Sequence, residues 1–213
     1  MHKYFIKTPW LVKKLFSSYV WSIDTEEKNI YITFDDGPHP TITPFVLDEL
    51  KKYNALATFF CIGKNVALYP QVYERILQEG HATGNHTQNH LNGWKVNTKD
   101  YLENISEAAK LIKSKMFRPP YGRIKKSQAK ELIGTNKNEC VKIIMWDVLS
   151  ADFDRTISPR HCLENVLKHA TAGSIIVFHD SEKAFPNLSY ALPEVLKKLS
   201  DGGYQFCKLQ EGL

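Results

Sequence analysis

The chain has few cysteines and none stands close to another: Cys61, Cys140, Cys162 and Cys207 are widely spaced, with no CxxC pair. That spacing excludes a cysteine-based zinc site and a disulfide framework, and it fits a reducing compartment. Cys61 and Cys140 fall in apolar, strand-like runs, where cysteine acts as a small buried hydrophobe. No apolar run reaches the length of a membrane span. The N-terminal region is interrupted by Pro9 and Lys13-Lys14 and offers no clean apolar core for a secretion signal, so the expected location is cytoplasmic. A basic stripe interleaved with aromatics is also missing. The net charge of +5 is spread over scattered residues, and no nucleic-acid partner is expected. There is no internal repeat and no low-complexity linker.

What is present is enough apolar material for one full core: 213 residues, 43% hydrophobic and 24% charged. Strand-length apolar runs alternate with stretches of helical period. Strands are expected at Asn29–Phe34, Ala57–Ile62, His81–Asn85, Met116–Arg118, Val141–Trp146, Ser174–Phe178 and Tyr204–Cys207. Helices are expected at Pro44–Tyr53, Pro70–Glu79, Thr98–Lys113, Lys126–Ile133, Pro159–Ala170 and Ala191–Leu199, with Ser158 a cap for the fifth. This alternation predicts a parallel sheet covered by helices. Five strands place ionisable residues at their C-terminal ends: Asp35-Asp36, His86, Arg118, Asp147 with Asp152, and His179-Asp180. In a closed parallel barrel those ends share one rim.

Two of these groups point to a metal. Asp35-Asp36-Gly37-Pro38 reads as a turn, but two adjacent carboxylates repel unless a cation relieves them. His86 and His90, at i and i+4, fit one face of a helical turn. One carboxylate and two histidines make three ligands with a position open for water. Thr87 stands where an HExxH motif carries its glutamate, so the base must come from elsewhere, and Asp35 is available. His179 reads either as a buried structural histidine or as a general acid tuned by Asp152. Arg118 is either a surface arginine or a bidentate partner for a buried carboxylate. Trp94, Tyr121 and Trp146 read as core residues first and sugar platforms second, and His39 as a surface-loop residue.

In order along the chain, Thr33–Pro38, His86–His90, Arg118–Gly122, Trp146–Phe153 and Val177–Asp180 resemble the polysaccharide deacetylase family with the NodB homology domain, carbohydrate esterase family 4. The resemblance runs from about Asn29 to Cys207. It implies a distorted (β/α) barrel and the removal of N-acetyl groups from a carbohydrate. It assigns Asp35 as base, Asp36, His86 and His90 as ligands of a divalent metal, and Arg118 as the partner of the base. Tyr121 would offer its backbone N–H to the oxyanion, Asp152 would tune His179 as the acid, and Trp146, Tyr121 and Pro119 would contact substrate. Zinc suits nitrogen and carboxylate donors best, with cobalt, nickel or iron as alternatives. Phe153 replaces the family's usual tryptophan, and Val177 and Phe178 stand where leucines are common. A metal-free amide or ureide hydrolase of the same fold, a carbohydrate-binding pseudoenzyme and an Fe(II) oxygenase are the competing readings.

The expected organisation is an N-terminal extension, residues 1–28, packed on a catalytic domain of residues 29–213. Trp10, Leu11, Leu15, Phe16, Tyr19 and Trp21 beside Lys13-Lys14 can also form an interfacial helix, giving weak membrane-surface contact.

Overall fold

The computed structural model describes residues 4–134 and 141–210. Its centre is β1 (Asn29–Asp35), flanked in parallel by β2 (Thr58–Cys61) and β7 (Ile175–His179). The sheet continues from β2 to β3 (Ala82–Asn85), β4 (Met116–Phe117) and β5 (Lys142–Ile143), and from β7 to β6 (Val148–Leu149). A short β8 (Gln205–Phe206) joins the start of β1.

Alternation along β1 sorts the two faces. Ile30, Ile32 and Phe34 face the helices, where Phe34 stacks on Phe59 and Phe178 at 5.0 and 6.2 Å between ring centres. Tyr31, Thr33 and Asp35 face the inside of the curl. There Phe60, Met116, Ile144, Ile175 and Leu209 form a separate apolar plug. Gly84 lets Phe60 lie against the neighbouring strand, since a Cβ at that position would stand 2.4 Å from the ring.

The expected strand Val141–Trp146 is instead two short pieces separated by residues 144–147. Lys142–Ile143 pairs with β4 and Val148–Leu149 with β7. One stretch of chain therefore serves both ends of the curled sheet, and it must step sideways to do so, which breaks the strand. The backbone groups left over by that step are taken by the N-terminal segment. Val20 N–H donates to Ile143 O (2.9 Å), Met145 N–H to Val20 O (2.7 Å), Thr8 N–H to Asp147 O (2.9 Å) and Leu149 N–H to Ile6 O (2.8 Å).

Eight helices are seen among the described residues. Two are short, at six residues: α1 (Trp10–Leu15), which falls where an interfacial helix was one expectation and buries no residue, and α3 (Gly63–Leu68), which was not expected. The others are α2 (Ile42–Lys51), α4 (Pro70–Gln78), α5 (Thr98–Ala109), α6 (Lys126–Gly134), α7 (Pro159–Leu167) and α8 (Phe185–Asp201). Ser158 caps α7 by accepting from His161 N–H at 3.1 Å. The last helix starts six residues before its expected Ala191. Its apolar face, Leu188, Ala191, Leu192, Val195 and Leu196, is fully buried, and that packing outweighs Pro193 within the helix. Cys61, Cys162 and Cys207 are free thiols, and Cys140 lies outside the described residues. No helix among the described residues is long and apolar enough to cross a membrane.

Candidate active site

Asp35 ends β1 and is in register with His179 at the end of β7. Register partners on neighbouring strands share a face, so both side chains point into the same end of the curl. Asp36 follows with φ 81°, which swings its carboxylate away from that of Asp35. The turn is tight: a Cβ on Gly37 would sit 2.1 Å from the Asp180 carboxylate.

His86 follows β3, and the expected helical turn through His86–His90 is absent. Thr87 and His90 have left-handed backbone, φ 65° and 54°, held by Asn85 Oδ1 accepting from Thr87 N–H at 2.8 Å. This loop, rather than helical spacing, brings the imidazoles to 5.1 Å between centres.

The donor set of Asp36, His86 and His90 fits a divalent cation. Their ligand atoms lie within 4.8 Å of one another. Asp36 Oδ1 stands 3.1 Å from His90 Nε2 and 3.8 Å from His86 Nε2, yet it is buried and accepts no hydrogen bond. His86 Nδ1 lies 2.7 Å from the carbonyl oxygen of Arg118. A carbonyl only accepts, so Nδ1 carries the proton and Nε2 presents its lone pair to the site. Burial opposes the ionisation of Asp36, but the adjoining His90 and the charge on His179 outweigh it, so its carboxyl stays well below the usual range. Burial pushes His86 down to about 4, against the pull of Asp35, which keeps the ring neutral for coordination.

Arg118 is neither a surface residue nor a bidentate partner. It is 0% exposed and distributes its donors. Nη1 bonds Asp35 Oδ1 (2.8 Å) and Thr33 Oγ1 (2.7 Å), Nη2 bonds Met145 O (2.9 Å), and Nε bonds Ile144 O (3.2 Å). Its guanidinium lies over Phe60 at 4.1 Å. Asp35 is thus held through one oxygen, leaving Oδ2 toward His86 at 4.0 Å.

On the neighbouring strand, His179 Nδ1 meets Asp152 Oδ1 at 2.7 Å and the backbone N–H of His179 donates to Asp152 Oδ2 at 2.7 Å. Burial disfavours the imidazolium, but Asp152, with Asp36 and Asp35 behind it, more than reverses this and raises His179 to about 9. Nδ1 is committed to Asp152, so Nε2 is the atom offered to the cavity. Asp180 behind this pair is pushed up to about 8 by burial, with the bond from Thr43 opposing and Asp36 adding to the rise.

These groups line a cavity of about 500 Å³ with Tyr4, Tyr121, Arg123, Trp146, Leu149, Phe153, Val177, Ser181 and Lys183. Arg118 and Asp152 act from behind its wall. Pro119 is buried and does not line it, because the turn that gives Tyr121 φ 61° folds the proline under. Tyr121 and Trp94 are exposed rather than core, at 60% and 59%, and Arg123 sits over the Trp94 ring at 5.1 Å. Asp147 was expected on the rim, but it points away and accepts from Lys7 and Lys13, both at 2.5 Å. Sequence reasoning missed Tyr4, Leu149, Arg123, Ser181 and Lys183. The position of Arg123 after Gly122, and of Ser181 and Lys183 after His179-Asp180, carried that signal. Nothing local marked Tyr4.

Known proteins resemble this chain in sequence and fold. A family model described as polysaccharide deacetylase matches residues 22–135. A peptidoglycan-N-acetylglucosamine deacetylase of Bacillus cereus is 34% identical over 197 residues, 90% of this chain and 91% of that protein. A chitooligosaccharide deacetylase of Azorhizobium caulinodans is 34% identical over 167 residues, 74% of this chain and 76% of the other. The crystal structure of the Bc1960 peptidoglycan N-acetylglucosamine deacetylase superposes with a TM-score of 0.83 at 32% identity, covering 95% of each chain. With its curled parallel sheet and its matching sequence, this chain belongs to the polysaccharide deacetylase family, the NodB-homology enzymes of carbohydrate esterase family 4.

Proposed function

We propose that this polysaccharide N-deacetylase acts on N-acetylglucosamine units of a glycan, of the peptidoglycan or chitooligosaccharide kind, releasing acetate and leaving a free amine. In this reading Asp36, His86 and His90 hold a divalent cation, zinc as first choice. The observation that carries it is the placement, on adjacent strands at one cavity, of a carboxylate fixed by a buried arginine and an imidazole charged by a buried carboxylate. Base and acid both face the space that an amide would enter.

A divalent cation at such a site polarises the carbonyl and makes water a better nucleophile. The remaining work falls to the chain. Asp35 Oδ2 accepts a proton from water as the water oxygen bonds to the carbonyl carbon. The backbone N–H of Tyr121, set by its left-handed turn, donates to the oxygen that gains charge. His179 Nε2 then gives its proton to the amide nitrogen as the carbon–nitrogen bond breaks. Asp152 holds the imidazole in the required orientation and charge state throughout. Trp146 and the exposed ring of Tyr121 supply faces for the sugar.

The test is acetate release from N-acetylglucosamine oligosaccharides and from peptidoglycan, before and after chelation. Chelation should stop release, and added zinc, cobalt, nickel or iron should restore it to differing extents. Release that survives complete chelation would remove the metal from the reading. No release from any N-acetylated glycan would overturn it.

A further inference from the structure

The N-terminal strap, which lies outside the stretch that carries the family's motifs, reaches the catalytic cavity with Tyr4. Lys7 pairs antiparallel with Val148, and Leu149 N–H donates to Ile6 O at 2.8 Å. Continuing that register brings Tyr4 level with Ala151, beside Asp152 and Phe153. There the Tyr4 hydroxyl bonds Asp154 Oδ2 at 2.5 Å, and its ring meets Phe153 edge-on at 5.6 Å. Phe153 in turn meets the His179 ring edge-on at 5.2 Å.

The strap is anchored as firmly as a strand. Buried Asp147 accepts from Lys7, Lys13 and, at 2.7 Å, Ser174 Oγ. Thr8 Oγ1 donates to Trp146 O at 2.8 Å. Burial resists ionisation of Asp147, and these donors overcome it and hold its carboxyl below the usual value. Tyr4 is therefore a fixed part of the wall.

The lining of the cavity is divided. Asp35, Asp36, His86 and His90 give the cavity its polar lining, while Leu149 and Val177, register partners on β6 and β7, and the rings of Tyr4 and Phe153 group into an apolar end beside His179, with the Lys183 ammonium 5.4 Å from the Phe153 ring. The acyl methyl of an N-acetyl sugar is the one wholly apolar group of the substrate, and only this end matches it.

We infer that Tyr4 is a specificity-determining residue: its ring closes the acyl end of the cavity and sets the largest acyl group removed. This rests on the deacetylase reading above. One methylene in a fitted apolar pocket changes kcat/KM by roughly 10- to 200-fold.

The experiment compares N-acetyl with N-propionyl glucosamine oligosaccharides. Tyr4→Ala should raise the propionyl-to-acetyl ratio of kcat/KM by about tenfold or more, and Tyr4→Trp should lower it. Tyr4→Phe keeps the ring and should keep the ratio. Ratios that stay at the wild-type value in both Ala and Trp variants would overturn the inference. So would an equal loss on both acyl groups, which would mark the strap as scaffold only. Wild-type acetate release is the control: its absence counts against the deacetylase reading and not against Tyr4.

Discussion

His86 and His179 stand on two sides of one cavity, and they titrate in opposite directions. Both are withdrawn from water, which by itself disfavours the imidazolium. Burial takes His86 down to about 4, because the backbone carbonyl at its Nδ1 and the nearby Asp35 offset that cost only in part. His179 meets the carboxylate of Asp152 and rises to about 9. The partner, not the burial, decides which ring becomes a neutral ligand and which a charged acid. The carboxylates divide in the same way. Asp35 is pinned by Arg118 through one oxygen, while Asp36 Oδ1 has no hydrogen-bond donor and so remains open to a cation.

That comparison can be sharpened first by removing the proton acceptor and leaving both rings in place. Asp35→Asn should cut deacetylation by about a thousandfold, while metal analysis of the purified variant should match that of wild type. Substantial residual turnover would show that another group takes the proton. Next in size is the buried support. Arg118→Met leaves Asp35 without its charged partner and should cost about 3–5 kcal/mol of stability by denaturant titration; a change under about 1 kcal/mol would mean that water reaches the carboxylate.

Asp152→Asn attacks the difference between the two rings directly. It should lower turnover by about a hundredfold and move the alkaline limb of the rate profile to lower pH. The sign follows from linkage. The folded value of His179 lies above its unfolded 6.5, so its share of stability is complete below 6.5 and is lost as pH rises through about 9. The folded value of His86 lies below 6.5, so its share is present above 6.5 and is lost as pH falls through about 4. Melting curves at pH 5, 7 and 9.5 should therefore show losses at both extremes, and in Asp152→Asn the alkaline loss should shrink. The smallest effect belongs to the exposed platform. Trp94→Ala should raise KM for long oligosaccharides by about threefold to tenfold, the scale of one lost aromatic contact, and leave kcat for short ones in place.

Much of this was legible because it obeys short-range rules. The alternation in Asn29–Phe34, the cap at Ser158 and the polar residues at strand ends gave the sheet, a helix start and the rim. Asp35, Asp36, His86 and His90 could be read from residue type and order. What resisted reading depends on distance or on backbone conformation. Thr87, a β-branched residue, gives no sign that it will adopt a left-handed φ, so a helical turn was the natural expectation for His86 and His90. The strand break at residues 144–147 follows from where β4 and β7 finish up in space. Asp147 looks like Asp152 in sequence, yet one faces the strap and the other the acid. Tyr4 enters the site only because the strap pairs with a segment more than a hundred residues away.

On the proposed reading, a carboxylate and an imidazole on adjacent strands, set by unlike partners, perform deacetylation. The most direct test is the pH dependence of acetate release from an N-acetylglucosamine oligosaccharide, with wild type and Asp152→Asn measured side by side. Wild type should hold its rate through neutral pH and lose it on the alkaline side, and the variant should lose it at distinctly lower pH. Alkaline limbs that coincide, or no acetate from the wild type, would contradict the account.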